Sequence, residues 1–454
     1  MPRISSGASG AAISVVAFAL FVCAPAPSAL AAEPARRSAP DYADRDPPPP
    51  DVGEVLLWVP RIVFSPVYFF TEYVIRRPVG AVLIEAERSN LPAALYDFFA
   101  FGPDHKAGLA PVAFVDFGVN PSLGVYAFWD DAFFKGDDLR AHAVGWPDEW
   151  FGASAVQRIR FGGNKAFALR VAGIRRPDYP FFGLGSRTVE ASRSRYGEDT
   201  VDGSATFSVS PWRASKIEAG IGVRYASFYD GSYGHDPGIL EMARTGAFAL
   251  PDGLAQGYTA EINQVAAALD SRRPFPESGT GFRLEAEVVQ GNGFGPGRQG
   301  GWLRYEGGAA GFLDLDGHRR VLSLSARAMF ADPLGSAIVP FSELVTLGGD
   351  KAPMPGFYLG RMIDRSAAVA TLRYAWPIAP FLDGSLQASV GNVFGEHLDG
   401  FDVRLTRLSA ALGIQSDSSP DSNFQFLVGL GSETFEQGGK VDSFRLAFGT
   451  TTGL

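Results

Sequence analysis

The sequence predicts an all-β protein, a 16-stranded antiparallel β-barrel that crosses a membrane. From about residue 122 onward, the chain is a series of runs in which apolar and polar residues alternate. Tight turns and long loops join the runs, and transmembrane barrels show this asymmetry between their two ends. The composition agrees, because 13% of the residues are aromatic, 54 are glycine, and the mean hydropathy is +0.04. Such a chain is too polar for a bundle of membrane helices.

Residues 1–31 are predicted to be a secretory signal peptide. Arg3 supplies a positive start, residues 11–22 an apolar core, and residues 29–31 an A-x-A cleavage site. The single cysteine, Cys23, lies in this segment, and a valine precedes it where a lipoprotein signal needs a small residue. The mature chain is therefore expected to have no thiol, which suits an oxidising compartment and excludes thiol catalysis.

Residues 32–52 form a polar linker with four consecutive prolines at 47–50, which we expect to be extended and disordered. In residues 53–107, aromatic and aliphatic side chains have helical spacing, and prolines cut them into short helices. Residues 55–75 are long enough to suggest a membrane span, but two prolines, an arginine and a glutamate interrupt them. We therefore expect periplasmic or interfacial helices that dock on the barrel or the membrane surface, ahead of a barrel over residues 108–454. The alternative is a small periplasmic cap in which these helices pack only on each other.

The alternating runs favour a membrane barrel over a soluble sandwich. In residues 201–209 the odd positions are apolar or small and the even positions polar, and in residues 322–328 the even positions are apolar or small. A sandwich would alternate too. Its turns, however, would not divide into tight turns such as 315–317 and long loops such as 331–365.

Sixteen strands are expected, near residues 122–134, 138–146, 154–162, 164–176, 188–196, 199–209, 215–227, 257–269, 279–290, 301–313, 318–330, 366–377, 383–394, 402–414, 422–431 and 440–449. Residues 109–118 are treated as an inward lead-in segment, with a seventeenth strand as the alternative. If they pair, one of the weak runs near 138–162 or 188–196 must be wrong. An even count places both ends of the sheet on the periplasmic side, so the long loops at 228–257 and 331–365 would lie outside the cell.

The stretch from residue 347 to 377 carries a family resemblance. A Gly/Pro-rich loop feeds an alternating strand, and a second strand at 385–394 completes a hairpin. Loop and hairpin resemble the C-terminal barrel signature of the bacterial surface antigen family, which belongs to the BamA/TamA-like superfamily of outer-membrane assembly barrels. That family's loop has an apolar-Arg-Gly-aromatic motif that enters the barrel lumen. The corresponding loop residues here are Met354, Pro355, Gly356 and Phe357. The resemblance continues to the last strand, whose C-terminal signal is Phe444, Leu446 and Phe448.

Two departures from the family pattern are linked. Relatives place an Arg in the loop and an Asp in an aromatic-x-Asp-x-Gly motif on a wall strand. Here these positions are Pro355 and Ser389, and Gly391 alone survives from the wall motif. Losing both partners of a buried pair can be nearly neutral. The resemblance therefore implies a lumen-inserting extracellular loop that is held by substitute polar contacts from Arg361, Asp364 or Arg365. The alternative is that the alignment has slipped and the paired loss is a coincidence.

The sequence offers little evidence of motifs for catalysis or metal binding. The five histidines are scattered, with no H-E-x-x-H spacing, and no G-x-S-x-G nucleophile elbow occurs. We therefore expect no enzyme, no cofactor and no metal. The net charge of -9 without a basic cluster makes nucleic acid an improbable partner. Charged residues on the polar strand faces predict a mixed-charge lumen plugged by a loop, with a selective ion channel as the alternative.

Two functions fit these expectations for a monomer in the outer membrane of a Gram-negative bacterium. As the resemblance implies, the barrel would insert or translocate outer-membrane proteins or lipids through a lateral seam, with unfolded clients and membrane lipids as partners. Otherwise it is a passive pore or structural surface protein. The chain is too short before the barrel for the repeated periplasmic modules of client-handling relatives, which favours the second function. The retained loop and hairpin favour the first, which we prefer. The seam discriminates, because a last strand at 440–449 would be short-paired or kinked in an insertase and fully paired in a passive barrel.

Overall fold

The computed structural model describes residues 62, 65–78, 98–102, 104–147, 149–274, 279–295, 300–349, 353–379, 382–416 and 424–450. The predicted signal peptide at 1–31 and the proline-rich linker at 32–52 lie outside the described residues. So does most of the predicted helical segment at 53–107.

Sixteen antiparallel strands pair in sequence order, and the last pairs with the first to close a barrel. This confirms the predicted fold class. The strands are β1 Ala107–Asp116, β2 Ser122–Trp129, β3 Asp137–Trp146, β4 Trp150–Phe161, β5 Lys165–Phe181, β6 Ser194–Val209, β7 Lys216–Asp230, β8 Tyr258–Asp270, β9 Gly281–Gly293, β10 Gly301–Asp314, β11 Val321–Leu334, β12 Ser366–Ala379, β13 Leu382–Phe394, β14 Arg407–Ser416, β15 Phe424–Ser432 and β16 Val441–Thr450.

One predicted strand is wrong, and the ambiguous segment takes its place. Residues 109–118 largely coincide with β1, whereas 188–196 is no separate strand. Residues 182–193 form a loop with a short 3-10 turn, and β6 already begins at Ser194. Gly183 and Gly185 adopt φ of +95° and +104°, which turn the chain out of the extended conformation. The count of sixteen is unchanged because one strand was gained and one was lost.

The two ends of the barrel differ in their connections. The loops at one end include residues 182–193, 231–257, 335–365 and 395–406, and we call this end the long-loop rim. The other end has short connections such as 162–164 and 315–320, and we call it the short-turn rim. Because the strand number is even, β1 begins and β16 ends at the short-turn rim.

The strands expose apolar side chains outward and polar side chains inward. Leu324 on β11 is 63% exposed on the outer face, and its neighbour Ser325 lines a cavity inside the barrel. On β16, Phe444 and Phe448 are exposed outward while Arg445 between them is buried inward. This alternation is that of a barrel in lipid with a polar lumen.

An apolar cluster fills the lumen near the long-loop rim. The loop at 335–365 folds inward and packs against the wall and against the loop at 231–257, which carries the short helix α2, Ile239–Arg244. Fully buried members of this cluster are Phe181, Ile239, Trp302, Phe341, Leu347, Met354, Phe357 and Met362. The inserted loop therefore closes the lumen as a packed plug.

A short helix from the N-terminal region contacts the barrel. It begins with α1, Ser65–Phe70, and continues as π-helix over Thr71–Arg76. The Glu72 carboxylate lies 2.8 Å from the Arg320 guanidinium at the short-turn rim. Among the helices of the described residues, none has the length and apolarity needed to cross a bilayer.

Candidate functional site

The junction between β16 and β1, which we call the seam, is the weakest of the barrel. Only three register pairs join these strands, Ala447 with Asp116, Phe448 with Val115, and Gly449 with Phe114. Each of the other fifteen junctions has at least seven register pairs among the described residues. Fewer ladder hydrogen bonds resist separation here than anywhere else in the wall.

The strands diverge at both ends of this short ladder. Gly449 adopts φ of +130°, and a Cβ there would lie 2.0 Å from the Ala113 carbonyl oxygen. Only glycine can make this bend so close to a neighbouring backbone. At the other end, the Phe117 amide donates a last bond to the Leu446 carbonyl at 3.0 Å, and the chain then turns away. The last strand is thus both short-paired with β1 and bent.

Between the ladder and the short-turn rim, the seam edge of β1 is poorly suited to pairing with another strand. The segment Ala100–Phe101 pairs with Ala107 and Gly108. The Ala113 amide points across the seam to the Thr450 hydroxyl at 3.2 Å, so Pro111, two residues earlier, faces the seam as well. Proline has no N–H to offer an added strand. A strand that docked on this edge would find few donors.

A buried ion pair joins the two strands from the lumen side. The Arg445 guanidinium on β16 lies 2.7 Å from the Asp116 carboxylate on β1, and its Nε donates a second bond at 3.1 Å. Arg445 is 2% exposed and Asp116 is 9% exposed. Charge-assisted bonds of this geometry are among the stronger polar contacts in proteins.

The inserted loop also contacts both sides of the seam. The Tyr358 hydroxyl lies 2.5 Å from the Phe117 carbonyl oxygen and 3.2 Å from that of Phe444, and it can donate to one of them at a time. Burial, reinforced by the Asp116 carboxylate, raises the pKa of Tyr358, so the hydroxyl keeps its proton. Gly118 lets the ring approach, because a Cβ there would lie 2.7 Å from the hydroxyl.

The predicted loop motif forms the tip of the inserted loop and rests on the wall beside the seam. The Gly356 amide donates to the Ser409 hydroxyl on β14 at 2.9 Å. The Ser443 hydroxyl on β16 donates to the Gly356 carbonyl at 2.9 Å. Arg445 donates to the Pro355 carbonyl at 3.4 Å, so the side chain that pairs across the seam also holds the tip.

Glycines make the close approach between tip and wall possible. A Cβ at Gly356 would lie 2.1 Å from the Leu430 carbonyl oxygen on β15. A Cβ at Gly429 would lie 2.8 Å from the Gly356 Cα, and one at Gly431 would lie 2.3 Å from the Phe357 ring. The tip therefore fits a socket of backbone that side chains would fill.

The predicted wall residues lie one strand away from this socket. Ser389 on β13 is 3% exposed and hydrogen-bonds Thr371 at 2.9 Å and Gln387 at 3.1 Å. Gly391 lies between Val369 and Arg407 in the register of β12, β13 and β14. The coupling of positions 355 and 389 stays a prediction.

Three further loop residues make polar contacts. Arg361 is 1% exposed, and its guanidinium lies 3.1 Å from the Asp442 carboxylate on β16. Arg365 pairs with Asp332 and Glu396 at 3.0 Å each, at the long-loop rim. Asp364 accepts a bond from the Arg365 amide at 2.8 Å, and burial raises the pKa of Asp364.

One fully buried charge of the inserted loop, Glu343, was not predicted from the sequence. It is 1% exposed, and its carboxylate lies 2.9 Å from Arg224 on β7 and 3.0 Å from Arg304 on β10. The Tyr258 hydroxyl donates to it at 2.5 Å. Burial acts to raise the pKa of Glu343, but the two arginines prevail and hold that pKa below the ordinary value. The available signal was a single acid in a largely apolar loop stretch.

Two cavities flank the plug inside the barrel. One of about 890 Å³ is lined by charged wall residues that include Arg170, Asp202 and Glu306. A second of about 410 Å³ touches Pro355 and wall residues from β9 to β15. Asp332, Glu396 and His397 also cluster at the long-loop rim, where Arg365 already pairs with both carboxylates, so we expect no metal there.

Comparisons with known proteins support the fold. No protein-family model and no curated protein matches the sequence. Among solved structures, the chain is similar to BamA from Haemophilus ducreyi lacking POTRA domains 1–3, with a TM-score of 0.51 and 14% identity, over 76% of this chain and 70% of that chain. It is also similar to CdiB from Acinetobacter baumannii (TM-score 0.47, 10% identity, 76% of this chain and 59% of that chain) and CdiB from Escherichia coli (0.48, 13%, 75% and 62%).

This chain covers less than two thirds of either CdiB chain. The resemblance to BamA is at the level of the fold, because only 14% of the aligned residues are identical. With sixteen antiparallel strands closed into a ring, the chain has the architecture of a BamA-like barrel.

Proposed function

We propose that this protein is an outer-membrane barrel that inserts or translocates polypeptides or lipids through its seam. The observation that carries the proposal is the three-pair ladder between β16 and β1. Opening it breaks bonds worth about 1 kcal/mol each in net stability. Every other junction would lose more than twice as many register pairs.

The mechanism we propose needs no covalent chemistry. Separating β16 from β1 leaves unpaired backbone N–H and C=O groups next to the lipid, where such groups are costly. A client strand can pair with the open edge and relieve that cost, as strands do when they add to an exposed sheet edge. Between Gly449 and the short-turn rim, no register pair joins the described residues of β16 and β1, so the ladder to be opened is short.

The finer assignments belong to the same proposal. We infer that the chain is a surface-antigen-type member of the BamA/TamA-like superfamily and works as a monomer in the outer membrane of a Gram-negative bacterium. Its long-loop rim would face the outside. Membrane lipids and unfolded outer-membrane proteins would be its partners, without cofactors.

A second function, a passive structural barrel, has one observation in its favour. The seam edge of β1 carries Pro111 and the capping segment Ala100–Phe101, and such devices blunt an edge against strand addition. An open pore fits less well, because the apolar plug fills the lumen.

Locking the seam separates the two functions. Val115→Cys and Phe448→Cys place thiols on direct register partners, in a Cys23→Ser background. The matched control, Leu386→Cys with Leu412→Cys, links partners across the fully paired β13–β14 junction. Each variant is expressed in a strain that lacks the native protein, and its outer-membrane proteome is measured with and without reductant.

We expect the oxidised seam variant to lose several outer-membrane proteins and to recover them on reduction, while the control behaves like the native protein. A seam-locked protein that supports a normal outer-membrane proteome, in a strain where deletion of the gene depletes it, would contradict the proposal. If deletion itself changes nothing, the structural function is correct.

A further inference from the structure

The N-terminal helix, Ser65–Phe70 with its π-helical continuation Thr71–Arg76, sits against the outer wall of the barrel at the short-turn rim. Arg320 immediately precedes β11, and its even position places it on the face that carries Leu322 and Leu324. Its guanidinium lies 2.8 Å from Glu72 and 4.5 Å from the centre of the Tyr68 ring. Arg320 itself is 7% exposed.

The wall beside this contact is covered although it faces outward. Leu372 on β12 is 39% exposed and pairs with the outward Leu324. Tyr374 and Trp376 follow on the same face of β12, yet they are only 3% and 1% exposed. Arg320 joins the helix to this wall, because it contacts both Glu72 and Tyr68. The helix therefore lies on a part of the wall that continues the membrane-facing belt.

The two faces of the helix are unlike each other. Tyr68 and Glu72 contact Arg320 of the barrel, and Thr71 on the same face of the helix is 1% exposed. The opposite face carries Phe69, Phe70 and Tyr73, which are 57%, 51% and 51% exposed. A helix in water would bury its aromatic face and expose its polar one. Here the ion pair and the cation-π contact face the protein, and the rings of Phe69, Phe70 and Tyr73 face away from it.

Basic side chains extend this exposed face at the end of the helix. The Arg77 guanidinium lies 4.1 Å from the centre of the Tyr73 ring, and its side chain is 62% exposed. The Arg76 side chain is 43% exposed and pairs with Glu72 at 3.1 Å. Aromatic rings flanked by arginines suit the boundary between acyl chains and phosphate headgroups.

We propose that this helix is a lipid-binding element whose Phe69, Phe70 and Tyr73 insert into the phospholipid leaflet at the short-turn rim, beside β11 and β12. Lipid is the expected partner because the helix is docked on the outward wall, next to Leu324 and Leu372 of the membrane-facing surface. Its arginines complement the phosphate groups of the same leaflet. This inference is independent of whether the seam opens.

Spin labels test where the aromatic face lies. Single cysteines at Phe69→Cys and Tyr73→Cys are labelled in the full chain with Cys23→Ser, in nanodiscs of phosphatidylethanolamine and phosphatidylglycerol. Leu324→Cys is the lipid reference and His318→Cys, whose side chain is 83% exposed in a short turn, is the aqueous reference. Collisions with oxygen and with a water-soluble nickel complex are measured at each site.

We expect both helix labels to favour oxygen over nickel by at least about half the ratio found at Leu324. Ratios like that of His318 would overturn the proposal. A photo-reactive benzoylphenylalanine at Phe70 gives a second readout that leaves the other rings in place. A phospholipid adduct supports the proposal, whereas an adduct with another protein or with a second copy of this chain overturns it.

Discussion

The β5–β6 and β16–β1 junctions show two ways of holding neighbouring strands together. The first has fifteen register pairs, from Lys165 with Val209 to Phe181 with Ser194. The second has three, supplemented by the Asp116–Arg445 ion pair and the Tyr358 hydroxyl. A long ladder resists separation along its whole length. At the seam, a few side chains and an inserted loop take over that task, so closure of the seam can be changed without dissolving the barrel.

The largest effect is expected from breaking the buried pair. Arg445→Met removes the partner of the buried Asp116 carboxylate across the seam, which costs about 3 to 5 kcal/mol, and it also frees the Pro355 carbonyl. At β5–β6, Arg170→Met removes the partner of Asp202, but both side chains are partly exposed, so the cost there is about 1 kcal/mol or less. Both stabilities are measured by gel electrophoresis, from the loss of the heat-modifiable band of the folded barrel with increasing urea. Equal costs would mean that closure of the seam depends on its ion pair no more than the laddered wall does.

The second effect concerns Glu343, which holds the inserted loop against the wall, and its size depends on pH. Because the docked pKa of Glu343 lies below the ordinary value of 4.5, docking gains stability above that pH and loses it as the pH falls through the docked pKa. Glu343→Gln should weaken docking by about 1 to 3 kcal/mol. Single-barrel conductance should rise on acidification in the native protein, and this step should be absent in Glu343→Gln. An identical acid response in both proteins would show that Glu343 does not hold the loop.

Positions 355 and 389 test whether the Arg–Asp pair that the family resemblance implies can be restored between the loop and the wall. Pro355→Arg and Ser389→Asp should each destabilise the barrel, and together they should recover stability through a coupling of about 1 kcal/mol or more. Urea unfolding of the two single variants and the double variant gives the coupling directly. Strict additivity would show that the two side chains do not meet.

The smallest effect is expected from the loop hydroxyl at the seam. Tyr358→Phe removes a single hydrogen bond to the strand backbone and should loosen closure by about 0.5 to 1.5 kcal/mol. Cross-linking between Val115→Cys and Phe448→Cys should become slower, because the strands spend less time paired. Tyr305→Phe, which loses a hydroxyl bonded to Asp332 away from the seam, is the control. An unchanged rate in Tyr358→Phe would remove the loop from the closure of the seam.

Most of the fold could be predicted from local sequence patterns. Alternation and turn residues predicted fifteen of the strands that the structure contains. The weak segment at 188–196 failed because glycines at 183 and 185 turn the chain and lengthen the loop before β6. The segment at 109–118 stayed ambiguous because Pro111 breaks the usual pattern of a strand, and only an edge tolerates it.

The candidate site was harder to predict from the sequence, because its residues come together only when the barrel closes. Asp116 and Arg445 are 329 positions apart and meet only when the last strand reaches the first. The tip residues Pro355 to Phe357 could be identified from their resemblance to a motif. Their contacts with β14, β15 and β16 depend on the register of the barrel, which alternation alone does not give.

Hydrogen exchange in nanodiscs tests the central claim most directly, because it compares the two junctions in one sample. Peptides that cover 113–117 and 446–450 report the amides at the seam, and peptides that cover 165–176 and 199–209 report the laddered wall. If the seam is the junction that opens, its amides exchange at least about a hundredfold faster, as the difference of several ladder bonds requires. Protection at the seam equal to that at β5–β6 would contradict the account.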